Sequence, residues 1–445
     1  MSFDFAVNNA IILSTHNGYV PFIGSVGVKG DSIEYIGEKE IPASDCSKII
    51  DGTDKILMPG FTNAHCHGDM TLARGLGDGM TLLEQNQVFA DSAWFYKYID
   101  DDDRYYSRLL TYCEALLSGT TFIMENMYWG LGKRSVEAMK EIGIRGALAE
   151  DIRYDFSKPD ELLSDEDIIG FVKACSENDI IPVIGSISEE DYDLPRLHKI
   201  RQILKKHGLI QTCHLAETPW RIDIVRKRFG TTPIKLLSEN SLLGSEMIGS
   251  HVVHLDDEEI QLLAENNVKV ANTPLCEMKI CDGIAPIPKM VRAGVCVCLG
   301  TDGAMWNNSN DIFREMKGMA LLHSINSGVR SLEIRDVLDM ATINGAKAFG
   351  LEKEYGSIEE GKKADFILID TTRPHMRPLV LGKYENVSSA VVYCATGADV
   401  SDVFVNGRQL VENHRLIHTD LNQICIKLQE TAEKIRQQFY NIPKH

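Results

Sequence analysis

The sequence predicts an α/β protein: a (β/α)8 barrel of the TIM type, accompanied by a small β-sandwich-like domain that both chain ends build together. Three observations carry that prediction. Short apolar, β-branched runs alternate with helix-like stretches through the middle of the chain. Both ends are β-patterned with turn signals between the runs, and the first run of the middle closes on two histidines, His65 and His67. Eight such runs over roughly 250 residues have the length and rhythm of a (β/α)8 barrel.

Residues 1–55 hold the first part of the expected β-domain, with "VGVKGDSIEYIG" reading as two strands around a Gly-Asp turn. The barrel is expected over 56–360. Its strand-like runs fall at 55–67, 120–126, 144–151, 180–186, 209–217, 247–255, 268–274 and 295–303. Between them lie helix-like stretches such as "SVEAMKEIG" and "LPRLHKIRQILKKHG", the second closing on Gly208 where a C-cap belongs. Helical patterns at 331–349 lead to the second part of the β-domain, 361–420, where "DVFVNGRQL" carries an Asn-Gly hairpin signal at Asn406-Gly407. The last segment, 421–445, spaces Leu421, Ile424, Leu428, Ile435 and Phe439 at helical intervals and is expected to be a helix packed by one stripe.

Composition excludes several classes of function. The chain of 445 residues is 44% hydrophobic and 25% charged, as soluble globular proteins are, and no stretch approaches the roughly 20 apolar residues of a membrane span. A net charge of −18 repels polyanions, and no basic cluster interleaved with aromatics offsets it, so nucleic acid is not an expected partner. The N-terminal "MSFDFAVNNAIILS" lacks a basic region and reads as a strand and not a signal peptide. Eleven scattered cysteines make no disulfide framework. A cytoplasmic protein acting on a small molecule is expected, as a homodimer or higher homo-oligomer.

Barrel enzymes place their chemistry at the C-terminal ends of the strands. There the sequence puts His65 and His67 on the first strand, His214 on the fifth, His251 in the sixth and Asp302 at the end of the eighth. Side chains alternate along a strand, so His65 and His67 share one face and Cys66 takes the other. Three imidazoles and a carboxylate suit Zn²⁺ or Fe²⁺ with one position left open.

With "NAHCH", "HLAET" at 214–218, "SHVVHL" around His251 and "LGTDG" at 299–303, the chain resembles the amidohydrolase superfamily. More narrowly it resembles the branch of cytosine, guanine, adenosine or S-adenosylhomocysteine deaminases and triazine hydrolases. "ARG" at 73–75, "GTT" at 119–121 and "GIAPIPKM" at 283–290 extend the likeness over nearly the whole chain. The resemblance implies one divalent metal ion on His65, His67, His214 and Asp302, with Glu217 and His251 as catalysts beside it. The bridging lysine of two-metal relatives has no counterpart in "IIPVIGSISEE". The zinc deaminase design with H-x-E and P-C-x-x-C is absent as well.

Those roles are chemically apt. Asp302 can take a proton from water, Glu217 can deliver one to a ring nitrogen, and His251 can hold the attacking oxygen. The expected reaction converts an amino-substituted N-heterocycle and water to the oxo-heterocycle and ammonia. The alternative is hydrolysis of a ring amide or a C–Cl bond at the same site, although retention of Asp302 argues against those dechlorinating relatives that replace it.

Two departures bear on the substrate. Adenosine-type relatives carry W-x-P-x-E after the first strand, where this chain has "SAWFYKYIDDDD" at 92–103. The usual Pro-Ser-Ser-Asn after the seventh strand is replaced by "PLCEMK", which puts Glu277 where an Asn is expected. An ionised Glu277 at the barrel mouth accepts substrate donors and favours guanine-like, pterin-like or diamino-triazine rings; the competing reading pairs it with Lys279. Weaker signals include "GLGDG" at 75–79 as a flexible loop, a zinc site drawn from Cys276, Cys281, Cys296 and Cys298, and His254 and His323 at the polar rim.

Overall fold

The structure, a computed structural model, describes residues 2–88, 98–126, 133–153 and 161–440. Five strands open the chain: β1 (Phe3–Ile12), β2 (Phe22–Lys29), β3 (Ser32–Gly37), β4 (Cys46–Asp51) and β5 (Lys55–Pro59). Eight follow: β6 (Phe61–Cys66), β7 (Thr120–Asn126), β8 (Arg145–Glu150), β9 (Ile180–Ile187), β10 (Ile210–Leu215), β11 (Met247–His251), β12 (Lys269–Asn272) and β13 (Val297–Leu299). Four close the series: β14 (Phe366–Asp370), β15 (Val400–Val405), β16 (Arg408–Glu412) and β17 (Arg415–Leu416).

The strands from the two chain ends make one mixed sheet, ordered β17-β16-β15-β14-β5-β1-β2-β3 with β4 on β1. Phe5 of β1 and Phe404 of β15 stand three places apart in that order, yet their rings stack at 5.0 Å, so the sheet curls over its own apolar face. Val7, Val26, Leu57, Phe366 and Leu368 fill the space enclosed. This is the expected sandwich-like layer. Its Asn406-Gly407 hairpin joins β15 to β16 with both residues at positive φ, 49° and 71°, the geometry that favours Asn-Gly.

Strands β6 to β13 follow one another in order as a sheet of eight parallel strands, nearly closed into a barrel, so the predicted fold class is the one found. Closure comes from the backbone: Thr301 and Asp302, just past β13, both donate to the His65 carbonyl of β6, at 3.0 and 2.9 Å. The strands are buried on both faces, as β6 and β7 are at every position, which explains their near-continuous apolar runs. The helix Leu194–His207 ends as expected, with Gly208 at φ 64° as its cap.

One predicted strand proves to be two. The run at 55–67 pairs first with β14 as β5, then breaks at Gly60, and Phe61 donates instead to the Gly119 carbonyl at 2.9 Å. A Cβ at Gly60 would collide with Thr121, so this change of partner requires glycine.

The chain divides into two compact units. Met1–Asn63, Cys113–Phe122 and Asp311–Thr419 form one; Ala64–Tyr112, Ile123–Asn310 and Asp420–His445 form the other. The final helix runs Leu421–Tyr440 and buries Ile424, Leu428 and Ile435, while 441–445 and the Phe439 side chain lie outside the described residues. So do residues 92–97 of "SAWFYKYIDDDD", whose acidic end begins the helix Asp101–Leu117. Among the described residues no helix is long and apolar enough to cross a membrane.

Candidate metal centre and active site

His65 and His67 stand at the end of β6, His214 in β10, His251 at the end of β11 and Asp302 just past β13; all are buried. Their donor atoms converge. Asp302 Oδ1 lies 3.3 Å from His65 Nε2 and 3.4 Å from His67 Nε2, and His214 Nε2 lies 3.4 Å from His67 Nε2. Ligands about 2.0–2.1 Å from a tetrahedral Zn²⁺ stand about 3.3 Å from one another, which these three separations match. The nitrogens of His65, His214 and His251 form a second, overlapping group.

Partners behind these side chains fix their orientation. His65 Nδ1 meets Ser250 Oγ at 2.8 Å and the Asn126 amide at 2.7 Å, and His214 Nδ1 meets Ser188 Oγ at 3.3 Å. Each contact holds the ring by its far nitrogen and turns Nε2 toward the cluster. The thiol of Cys276 donates to Asp302 Oδ2 at 2.9 Å.

Electrostatics separates His251 from the other imidazoles. Burial holds His65 below its ordinary range, takes His67 down to about 4, and together with neighbouring rings holds His214 well down. Burial works to raise Asp302, but His65 and His67 hold its carboxyl far below the usual carboxylate range. Neutral imidazoles and an ionised carboxylate are the forms that bind metal. Burial also disfavours the His251 cation, yet Glu217, Glu277 and Asp302 outweigh it and push His251 up to about 10. His65, His67 and His214 thus share the neutral form that a metal takes, and His251 does not.

Glu217 follows His214 on a strained turn. Ala216 has φ 49°, His251 and Val252 have 70° and 54°, and Asp302 has 59°, so the ends of three barrel strands hold non-glycine residues in the left-handed region. Such residues cost about 1–3 kcal/mol each and persist where surroundings over-determine them. Here Val253 and His254 both donate to the Ala216 carbonyl, at 3.0 and 2.9 Å, and Glu189 accepts the Ala216 N–H. The turn after β10 is thereby stapled to the turn after β11. Glu217 Oε1 lies 3.8 Å from His251 Nε2, and its other oxygen pairs with Arg221, which also grips Glu190 through Nε and Nη2 at 2.8 Å each.

Glu277 is placed differently from what its position after β12 suggested. Its carboxylate accepts from Asn272 Nδ2 at 2.8 and 3.0 Å, from Thr273 N at 3.1 Å and from Thr273 Oγ1 at 3.3 Å. It faces these protein donors and the His251 ring, 3.8 Å from Nδ1, because the short helix Pro274–Lys279 turns it back over β12. Lys279 pairs with Asp78 of the "GLGDG" loop at 2.7 Å, and so does not pair with Glu277. His254 Nε2 donates to the Asp282 carbonyl at 2.6 Å, and His323 is buried on the helix Ile312–Ser327 of the other unit. Among the described residues the metal-capable groups contain no cysteine.

Sequence reasoning missed Cys276 as a partner of Asp302, Arg221 as a partner of Glu217, and the buried carboxyl of Asp282. Only the i, i+4 spacing of Glu217 and Arg221 carried a signal, since that interval brings the two side chains together on a helix.

The sequence profile of the amidohydrolase family matches residues 56–410. A 5-methylthioadenosine/S-adenosylhomocysteine deaminase of Caldanaerobacter subterraneus subsp. tengcongensis is 31% identical over 440 residues, covering 96% of this chain and 98% of the relative. A 5'-deoxyadenosine deaminase of Methanosarcina acetivorans is 32% identical over 423 residues, 93% of each chain. Among solved structures, a zinc-bound adenosine deaminase from Xanthomonas campestris shares the fold, with a TM-score of 0.87 at 24% identity over 98% of this chain and 99% of that one. A zinc complex of atrazine chlorohydrolase from Arthrobacter aurescens shares it with a TM-score of 0.84 at 20% identity over 96% and 100%. With the family profile spanning most of the sequence and relatives aligned over nearly its full length, the chain belongs to the amidohydrolase family.

Proposed function

We propose that this protein is a metal-dependent aminohydrolase, which converts an amino-substituted N-heterocycle and water to the oxo-heterocycle and ammonia. The observation that carries the proposal is the buried cluster of His65, His67 and Asp302, with His214 Nε2 3.4 Å from His67 Nε2 and with Glu217 and His251 beside them. These four residues would hold one Zn²⁺ or Fe²⁺ ion. A divalent cation there supplies Lewis acidity, lowering the pKa of a water molecule from about 15.7 to near 7.

The chain's own groups handle the protons and the geometry. Asp302, held ionised, accepts a proton from the attacking water. Glu217 delivers a proton to the ring nitrogen beside the carbon that bears the amine, then assists departure of ammonia. Arg221 and Glu190 keep Glu217 in place. His251 offers an Nε2–H to the attacking oxygen, while Thr273 Oγ1 at 3.0 Å from Nδ1 fixes its ring. Glu277 acts through Thr273 and Asn272, the latter also donating to the His251 carbonyl at 3.0 Å.

The relatives are named for adenosine-type substrates, which favours an aminopurine. Glu277 is engaged by Asn272 and Thr273 and so gives donor-rich rings no separate support. The test is a screen of zinc-loaded protein against aminopurines, their nucleosides, pterins, pyrimidines and triazines for ammonia release. Ammonia from at least one is expected; chloride from a chlorotriazine with no ammonia from any compound would replace the proposal by the C–Cl alternative.

A further inference from the structure

We infer that Asp282 determines specificity: its carboxyl group accepts a hydrogen bond from a donor on the heterocyclic substrate other than the amine that leaves. The inference deepens the deaminase reading and rests on it for the identity of the ligand. The geometry stands by itself.

Asp282 is only 5% exposed, and its side chain makes no hydrogen bond among the described residues; Oδ2 is wholly enclosed and unpartnered. Its backbone, by contrast, is fixed at both ends. The N–H donates to the Glu277 carbonyl at 3.0 Å, and the carbonyl accepts from His254 Nε2 at 2.6 Å. The side chain is thus carried on a rigid frame. That frame joins it to the site: Glu277 holds its N–H, and His254, which holds its carbonyl, donates its own N–H to the Ala216 carbonyl next to Glu217.

Buried polar groups are almost always satisfied, so an exception of this kind calls for an explanation. None of the neighbouring cations supplies one. Arg221 is taken by Glu190 and Glu217, His251 Nδ1 by Thr273, and Lys279 by Asp78. Burial, with the Glu217 charge adding to it, pushes the Asp282 carboxyl up. A carboxyl group keeps an acceptor oxygen in either protonation state. What it lacks is a donor, and the substrate is the molecule that can bring one beside Glu217. Two sources have the right chemistry: an N–H or second amine on the ring, and a sugar hydroxyl.

The experiment uses zinc-loaded full-length protein as wild type, Asp282→Leu and Asp282→Asn. Each is given 2,6-diaminopurine against adenine, which differ by a ring donor, and adenosine against its 2′-deoxy and 3′-deoxy forms, which differ by a sugar donor. Wild type is expected to prefer the donor-bearing member of one pair by about tenfold or more in kcat/KM. Asp282→Leu abolishes that preference, and Asp282→Asn, which keeps a carbonyl oxygen, retains part of it. The pair that collapses identifies the source. The same preferences measured as Kd by equilibrium dialysis test the inference even if no compound is turned over, so failure of the deaminase reading stays distinct. An equal preference in wild type and Asp282→Leu for every pair, or none in wild type, overturns the inference. So does a fall in Tm with loss of zinc in Asp282→Leu, since removing an unpartnered carboxyl should leave Tm unchanged or higher.

Discussion

The Sγ of Cys276 lies 2.9 Å from Oδ2 of Asp302, on the carboxylate oxygen opposite the one that faces His65 and His67. Burial pushes the thiol well above its ordinary range and the Asp302 charge adds to this, so it stays protonated and donates. The thiol holds Asp302 so that a single oxygen points at His65 and His67. Cys276→Ala should therefore lower zinc affinity by about 10- to 100-fold, as loss of a partner behind a ligand does, and Cys276→Ser should restore most of it. Competition against a chromophoric chelator measures both; equal affinity in Cys276→Ala and wild type would remove the thiol from the metal site.

Glu217→Gln should keep its zinc and lose about 10²- to 10⁴-fold in kcat, because it abolishes proton delivery and leaves the four ligands intact. His214→Ala should lose zinc as well as turnover. Elemental analysis of the two variants, alongside about one metal ion per chain in wild type, separates the roles. Undiminished turnover by Glu217→Gln would send the proton elsewhere.

Acid should release the metal late. An ordinary imidazole protonates near 6.5, whereas burial holds His67 down to about 4, so proton competition at that ligand sets in only as pH approaches the lower value. Zinc should survive dialysis at about pH 5.5 and be lost at about pH 3.5. The metal-free protein follows the same logic with a definite sign. Its unfolded chain takes up the His67 proton near 6.5 and its folded form only near 4, so stability is lost as pH falls between those values. Urea unfolding of metal-free wild type and His67→Asn across that window checks it; the variant should show a shallower decline.

Glu277→Ala strips the acceptor from Asn272 Nδ2 and Thr273 N, both buried. Stability should fall by about 1–3 kcal/mol, the penalty for leaving buried donors unsatisfied. If Glu277 acts through His251, kcat should fall with KM little changed and zinc retained. A rise in KM confined to donor-bearing substrates would instead put Glu277 in contact with substrate.

The alternation of apolar runs and helix-like stretches determined the barrel, because strand and helix have different hydrophobic periods and the order of elements leaves few ways to bury both. The same local logic set His65 and His67 on one face and placed His214 and Asp302 at strand ends. Periodicity could not reveal the break at Gly60. The run 55–67 is apolar on both sides of it, and only the approach of Thr121, from a segment some sixty residues away, forces the change of partner.

Asp282 and Glu277 mark the limit most sharply. Both are acids in one short segment, and sequence drew attention to Glu277 because it replaces an expected Asn. Which of the two is saturated depends on Asn272 and Thr273 at the end of β12, on where the helix Pro274–Lys279 turns, and on whether any cation remains uncommitted nearby. A sequence specifies which groups carry donors and acceptors. Whether a buried one finds a partner is settled by hydrogen-bond geometry within a few ångströms, among side chains that only the tertiary fold brings together.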